Sequence, residues 1–285
     1  MAIFGLIYGI LCYAAFVASF LYAIGFVGNL AVPKSIDSAP SAPLAAALLG
    51  NALLLGLFAA QHSAMARPAF KAWWTAVIPR PLQRSSYVLV SSLVLGLLFW
   101  QWQAITDVIW QVESPAGRGV LNALFWLGWL LALWSTFMLS HCELFGLRQV
   151  WLRLRGVNYT PVPFNAGGLY RFVRHPLMLG FLIAFWAAAT MTLGHLLFSA
   201  AMAAYIFIGI FFEERDLAVA HGAAFEQYRK DGPMIFPAPG RRIDRWPVCD
   251  NERNRGRAQR IVATWAQGRA ATATAPAPWL FQELS

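Results

Sequence analysis

Residues 176–212 run without one charged side chain. A membrane-crossing helix needs about 20 predominantly apolar residues, so these 37 residues are too long for one ordinary crossing. Near their middle lies Thr190-Met-Thr-Leu-Gly-His195, and a glycine among polar neighbours marks a turn. The run therefore predicts two short spans, 177–193 and 196–212, folded as a hairpin. A single long tilted helix is the alternative. Four further charge-free runs precede it, at 3–30, 44–60, 86–105 and 120–140. The expectation is an all-α, polytopic integral membrane bundle of about six transmembrane helices (five to six), with a cytoplasmic C-terminal segment.

Composition agrees. Only 12% of the 285 residues are charged and 59% are hydrophobic, whereas soluble domains carry about 25% charged residues. The net charge of +9 does not indicate nucleic acid, because the basic residues fall in short stretches between apolar runs, where they set membrane orientation. Arg67, Lys71, Arg80 and Arg84 follow the second run, and Arg148, Arg153, Arg155, Arg171 and Arg174 follow the fourth. The opposite connections hold Lys34 and Arg118. This bias predicts both termini in the cytoplasm. The first run has no basic residue before it and reads as a retained span rather than a cleaved signal. Cys12, Cys142 and Cys249 show no CxxC spacing, so neither a disulfide framework nor a metal site is expected. Residues after about 241 are rich in Arg, Ala and Pro and read as a mobile tail. No internal repeat is visible.

Ionisable groups at a membrane boundary are costly and invite functional hypotheses. Four clusters stand out: Gln61-His62-Ser63 with Arg67; His141-Cys142-Glu143; the stretch from Gly168 through Tyr170, Arg171, Arg174 and His175 to Pro176; and Glu213-Glu214-Arg215. On the expected topology all four lie at the cytoplasmic face, which points to one site. Each also has a bland reading: a helix-end hydrogen bond for His62, an interfacial anchor for His141 and Glu143, positive-inside determinants for Arg171 and Arg174, and a solvated helix end for the glutamates. His195 falls in the far turn, away from all four.

Order and spacing say more. GLYRFVRHPLMLG (168–180), a hairpin, EERDL (213–217) and FEQYRKDGPMIFP (225–237) together resemble the C-terminal half of the isoprenylcysteine carboxyl methyltransferase superfamily. QHSAMARPAFKAWWT (61–75), IPRPLQRSSYVLVSS (78–92) and SHCELFGLRQVW (140–151) extend the likeness to the bacterial methanethiol S-methyltransferases, over roughly residues 1–240. Met178 stands where the superfamily has a tyrosine. Ile208-Gly-Ile-Phe-Phe212 offers no arginine one turn before the glutamates, which argues against a carboxylate acceptor. The likeness divides the chain into a four-span bundle (1–140), a methyltransferase-like half (141–240) and the tail (241–285).

The resemblance implies transfer of methyl from S-adenosylmethionine to methanethiol, giving dimethyl sulfide, in a bacterial inner membrane with the site facing the cytoplasm. It assigns Tyr170, Arg174, His175, Pro176, Gly180, Glu213 and Glu214 to the cofactor, with Arg174 as a candidate for its carboxylate. His62, His141 and Glu143 are left as candidates on the thiol side, either histidine being able to take the proton. The expected partners are a small thiol and the lipid bilayer, with no obligate protein partner. Alternative acceptors are another small thiol, hydrogen sulfide or a lipid. NnrU-like membrane proteins linked to nitrogen-oxide respiration share an HS-x-x-AR-type segment and a similar span count, and offer a non-enzymatic reading. A transporter is disfavoured by the lack of a repeat.

Overall fold

The computed structural model describes residues 2–38, 42–160 and 167–237. The expected tail at 241–285 lies outside the described residues. Five described helices are long and apolar enough to cross a membrane: α1 (Ala2–Gly28), α2 (Leu44–Ala66), α4 (Arg80–Gln101), α5 (Pro115–Met138) and α9 (Leu193–His221). Shorter helices sit between and after them: α3 (Pro68–Trp74), α6 (His141–Leu144), α7 (Leu147–Leu154), α8 (Pro176–Trp186) and α10 (Ala223–Asp231). A 3₁₀ turn covers Gly168–Arg171.

The hairpin expected over 176–212 forms, but its arms are unequal. α8 has 11 residues and spans about 16 Å, half of a hydrocarbon core about 30 Å thick. α9 has 29 residues. Glu213 lies twenty residues after Leu193, about 30 Å further on, which puts the glutamates at the far boundary of the apolar layer. The turn between the arms is extended. Thr190–Thr192 (β2) pairs antiparallel with Val108–Gln111 (β1), so a small ribbon closes one end of the helical bundle.

Alternation of direction puts the ends of α2, α5 and α9 on the same side as the beginnings of α1, α4 and α8. Two contacts confirm this inner end: Tyr8 bonds Ser86 near the starts of α1 and α4, and Ser63 bonds Tyr205 between α2 and α9 at 3.3 Å. The core is aromatic, with Phe26, Phe99, Trp102, Phe125, Trp129, Phe185 and Phe198 buried together. Large apolar side chains such as Phe4, Leu49, Trp100 and Leu130 are exposed, as expected where lipid is the solvent.

Gly128 and Gly180 bring α5 and α8 into backbone contact. A Cβ on Gly180 would meet Ala132 N at 2.6 Å, and one on Gly128 would meet Ala184 N at 2.6 Å. Small residues at such crossings let membrane helices approach closely.

Candidate active site at the inner end

The RHP stretch, the paired glutamates and the closing segment meet at the inner end. His175 stands just before α8, and Pro176 opens that helix, a position where its missing N–H costs nothing. His175 Nε2 lies 3.0 Å from Glu214 Oε1 and its Nδ1 lies 3.6 Å from Glu213 Oε2. An ionised carboxylate only accepts, so toward that form either ring nitrogen donates when it carries hydrogen. Arg174 contacts the same Glu214 oxygen through Nε and Nη2, each at 2.8 Å.

The closing segment is tied to this pair. Arg174 Nη1 donates to the carbonyls of Arg229 and Gly232 at 2.6 and 2.8 Å. The backbone N–H groups of Arg174 and His175 donate to Pro233 and Met234. Tyr228 Oη donates to Tyr170 O at 3.2 Å. Burial, with the Glu213 charge behind it, pushes the buried Tyr170 phenol up from its ordinary value. Burial raises Tyr228 as well. Both remain neutral hydroxyls beside the carboxylates.

Tyr170, Arg174, His175, Glu213 and Glu214 therefore form one network. Gly180 belongs to the α5–α8 crossing described above. Arg174 is engaged by Glu214 and by two carbonyls of the closing segment, which makes it a tie between elements rather than an open anion clamp.

The remaining candidates occupy neighbouring clusters. His141 is buried, with Nδ1 2.8 Å from Thr136 Oγ1 and Nε2 2.8 Å from Tyr13 Oη. Thr136 gives its hydrogen to Leu133 O, so it accepts from His141 Nδ1–H, and Tyr13 donates to Nε2. Phe137 stacks on the ring at 4.3 Å. Burial lowers the His141 pKa. Ser140, just before it, holds φ of 80°, a strained conformation for a residue with a side chain. Glu143 points elsewhere, to Arg148 at 2.8 Å, to Gln149 at 3.1 Å and to Tyr159. Arg84 donates to Leu144 O and holds this turn against α4.

His62 is bracketed by Ser91 Oγ at 3.2 Å from Nδ1 and Tyr87 Oη at 2.8 Å from Nε2. Gln61 Nε2 donates to the same Ser91 oxygen at 3.2 Å. Phe58 stacks on the ring and Tyr205 meets its edge. One turn beyond, the Arg67 guanidinium lies 4.4 Å over the Phe212 ring, beside Glu213. The His141 turn reaches the 3₁₀ turn through Met138, whose Sδ accepts from Leu169 N. Among the described residues no hydrogen bond joins His62 or His141 to His175 itself. The three clusters adjoin without merging.

Sequence reasoning did not single out Tyr13, Thr136, Ser91 or Tyr228 as partners. Tyr13, Thr136 and Ser91 are hydroxyls inside apolar helices and carry no charge signal, Tyr228 sits in the polar α10, and only the fold shows what they face.

Known proteins resemble the chain over most of its length. The NnrU protein family model matches residues 52–249. A methanethiol S-methyltransferase of Mycobacterium tuberculosis is 53% identical over 236 residues, 83% of this chain and 97% of that one. Methanethiol S-methyltransferase 2 of Bradyrhizobium diazoefficiens is 54% identical over 81% of this chain and 89% of its own. Nurim of Rattus norvegicus is 32% identical over 60% of this chain and 68% of its own. No solved structure matches. These relatives do not favour the non-enzymatic reading, and the chain belongs to the NnrU family and to the methanethiol S-methyltransferases.

Proposed function

We propose that this protein transfers methyl from S-adenosylmethionine to methanethiol at the inner end of the bundle, releasing dimethyl sulfide. The relatives named above carry that acceptor in their names. The structural observation behind the reading is the state of Glu213. Its one ion-pair contact among the described residues is with His175 Nδ1, at 3.6 Å, longer than a hydrogen bond. Its carboxylate therefore keeps acceptor capacity while facing the cluster. A donor molecule bearing a sulfonium, an ammonium and ribose hydroxyls needs such acceptors, so the residues fit the group.

S-adenosylmethionine, when bound, supplies an electrophilic methyl on a cationic sulfur. Glu213 would accept from its amine or hydroxyls. Glu214, Arg174 and the closing segment fix His175 and Tyr170 around it. On the acceptor side we place His62, since its ring lies between two hydroxyls that can each donate or accept. A thiol of ordinary acidity is mostly protonated at neutral pH, and a neutral imidazole can take its proton. The thiolate would then take the methyl as the sulfonium S–CH3 bond breaks, leaving dimethyl sulfide and S-adenosylhomocysteine, and this cancellation of opposite charges is favoured by a dry site. An uncharged volatile thiol can arrive through lipid. The arginine-rich connections at this end support a cytoplasmic orientation in a bacterial inner membrane.

The test is purified protein with S-adenosylmethionine and, in parallel, methanethiol, ethanethiol and hydrogen sulfide, with headspace analysis of the methylated products. The reading expects dimethyl sulfide from methanethiol at the highest kcat/KM. A higher kcat/KM with hydrogen sulfide would reassign the acceptor.

A further inference from the structure

The opposite end of the bundle holds a second polar feature that methyl transfer does not use. α8 stops at Trp186, which releases the Phe185 carbonyl from helical bonding. His195 Nε2 reaches that oxygen at 3.0 Å and Ser199 Oγ reaches it at 2.7 Å. A carbonyl only accepts, so in the neutral ring the hydrogen is on Nε2 and Nδ1 carries a bare lone pair. His195 is 2% exposed, and Nδ1 has no partner among the described residues. A buried acceptor without a donor costs about 1–3 kcal/mol, so something is expected to fill that need.

His195 lines a half-open cavity of about 420 Å³ between the ends of α1 and α8 and the first turns of α5. Leu30 and Phe125 supply apolar wall, while Arg118 and Asn122 stand one helical turn apart on α5. The described lining includes one cation and no acid. Arg118 has no ion-pair partner among the described residues. The beginning of α5 adds the positive end of a 24-residue helix. The nearby acid, Asp37, is held by Thr192 Oγ1 at 2.5 Å and Asn29 Nδ2 at 2.8 Å, and its charge reaches His195.

We infer that this cavity binds the headgroup of an anionic phospholipid that carries a hydroxyl, with the phosphodiester at Arg118 and Asn122 and the hydroxyl donating to His195 Nδ1. Charge complementarity and the place of the cavity at the rim of the apolar layer select a lipid over a soluble ligand. A choline headgroup offers no donor to His195 and is the matched negative.

The full chain, exchanged into nanodiscs of equal phosphatidylglycerol and phosphatidylcholine, is released into native mass spectrometry and the retained lipids are counted. Phosphatidylglycerol is expected about tenfold over phosphatidylcholine. Arg118→Gln, an exposed and structurally mild change, is expected to lower that ratio about tenfold, the scale of one charge-assisted contact. His195→Phe, if it folds, lowers it too. Equal retention of the two lipids in the unaltered chain, or a ratio untouched by Arg118→Gln, overturns the assignment. Displacement of phosphatidylglycerol by millimolar glycerol phosphate overturns the lipid and leaves a soluble phosphoester as the ligand.

Discussion

His175 and Glu214 meet at 3.0 Å across 39 positions of sequence, and that one oxygen of Glu214 also receives Arg174. The side chains of this group are 7–12% exposed. Removing Glu214 leaves a guanidinium and an imidazole without their shared acceptor, and breaking a buried pair in this way costs about 3–5 kcal/mol. Glu214→Ala is expected to lower the thermal midpoint sharply and to abolish turnover together. An unchanged midpoint in detergent would show that the network is not structural.

Glu213→Gln should behave differently. Its one ion-pair contact among the described residues, with His175, is 3.6 Å long, so little folding energy rests on it. The expected outcome is a nearly unchanged midpoint with S-adenosylmethionine affinity reduced by about tenfold or more, read by calorimetry. A variant that binds the donor as tightly as the parent would remove Glu213 from the site.

His62→Ala separates the two sides of the reaction. The ring hydrogen-bonds Ser91 and Tyr87, not the His175 cluster. Donor affinity should persist, while kcat falls by about 10²–10⁴-fold, the usual worth of a general base. Raising the pH toward the thiol pKa should recover part of the loss, because the thiolate then forms unaided. Loss of donor binding would instead make His62 part of the cofactor pocket.

The helix crossing offers a test of the fold alone. Gly180→Ala puts a methyl 2.6 Å from Ala132 N, a backbone atom that cannot step aside, and should cost about 1–3 kcal/mol. Gly209→Ala, with nothing within 4 Å of the added carbon, should be neutral or slightly stabilising. Equal midpoints for the two variants would contradict the close approach of α5 and α8.

Burial lowers the His141 pKa below its ordinary 6.5, so the unfolded chain takes up this proton first as pH falls. Its contribution to stability is complete above about pH 6.5 and is lost as pH drops toward the folded value. Thermal midpoints from pH 5 to 7.5 should fall less steeply in His141→Phe than in the parent. Matching slopes would show that the ring is not held neutral by burial.

Much of this architecture can be read from charge-free runs, because hydrophobic length and the positions of arginine reflect the bilayer directly. The RHP, EE and closing segments are legible as a motif, and the structure joins them. Other features are not local. Nothing in the uniformly apolar stretch around Phe185 and Trp186 marks the end of α8, where the released Phe185 carbonyl is met by Ser199 and His195. Glu143 reads beside His141 as a partner in chemistry, yet Arg148 and Tyr159 draw it to the other side of its turn. Arg174 reads as an anion clamp until α10 returns to claim it.

The central claim concerns one methyl group. Purified protein is given S-adenosylmethionine with a trideuterated methyl and ordinary methanethiol, and the headspace is examined by mass spectrometry. Dimethyl sulfide three mass units heavy, formed only with protein and missing in His175→Ala, is the predicted result. Absence of the heavy product from folded protein that has been shown to bind the donor would contradict methyl transfer to this thiol.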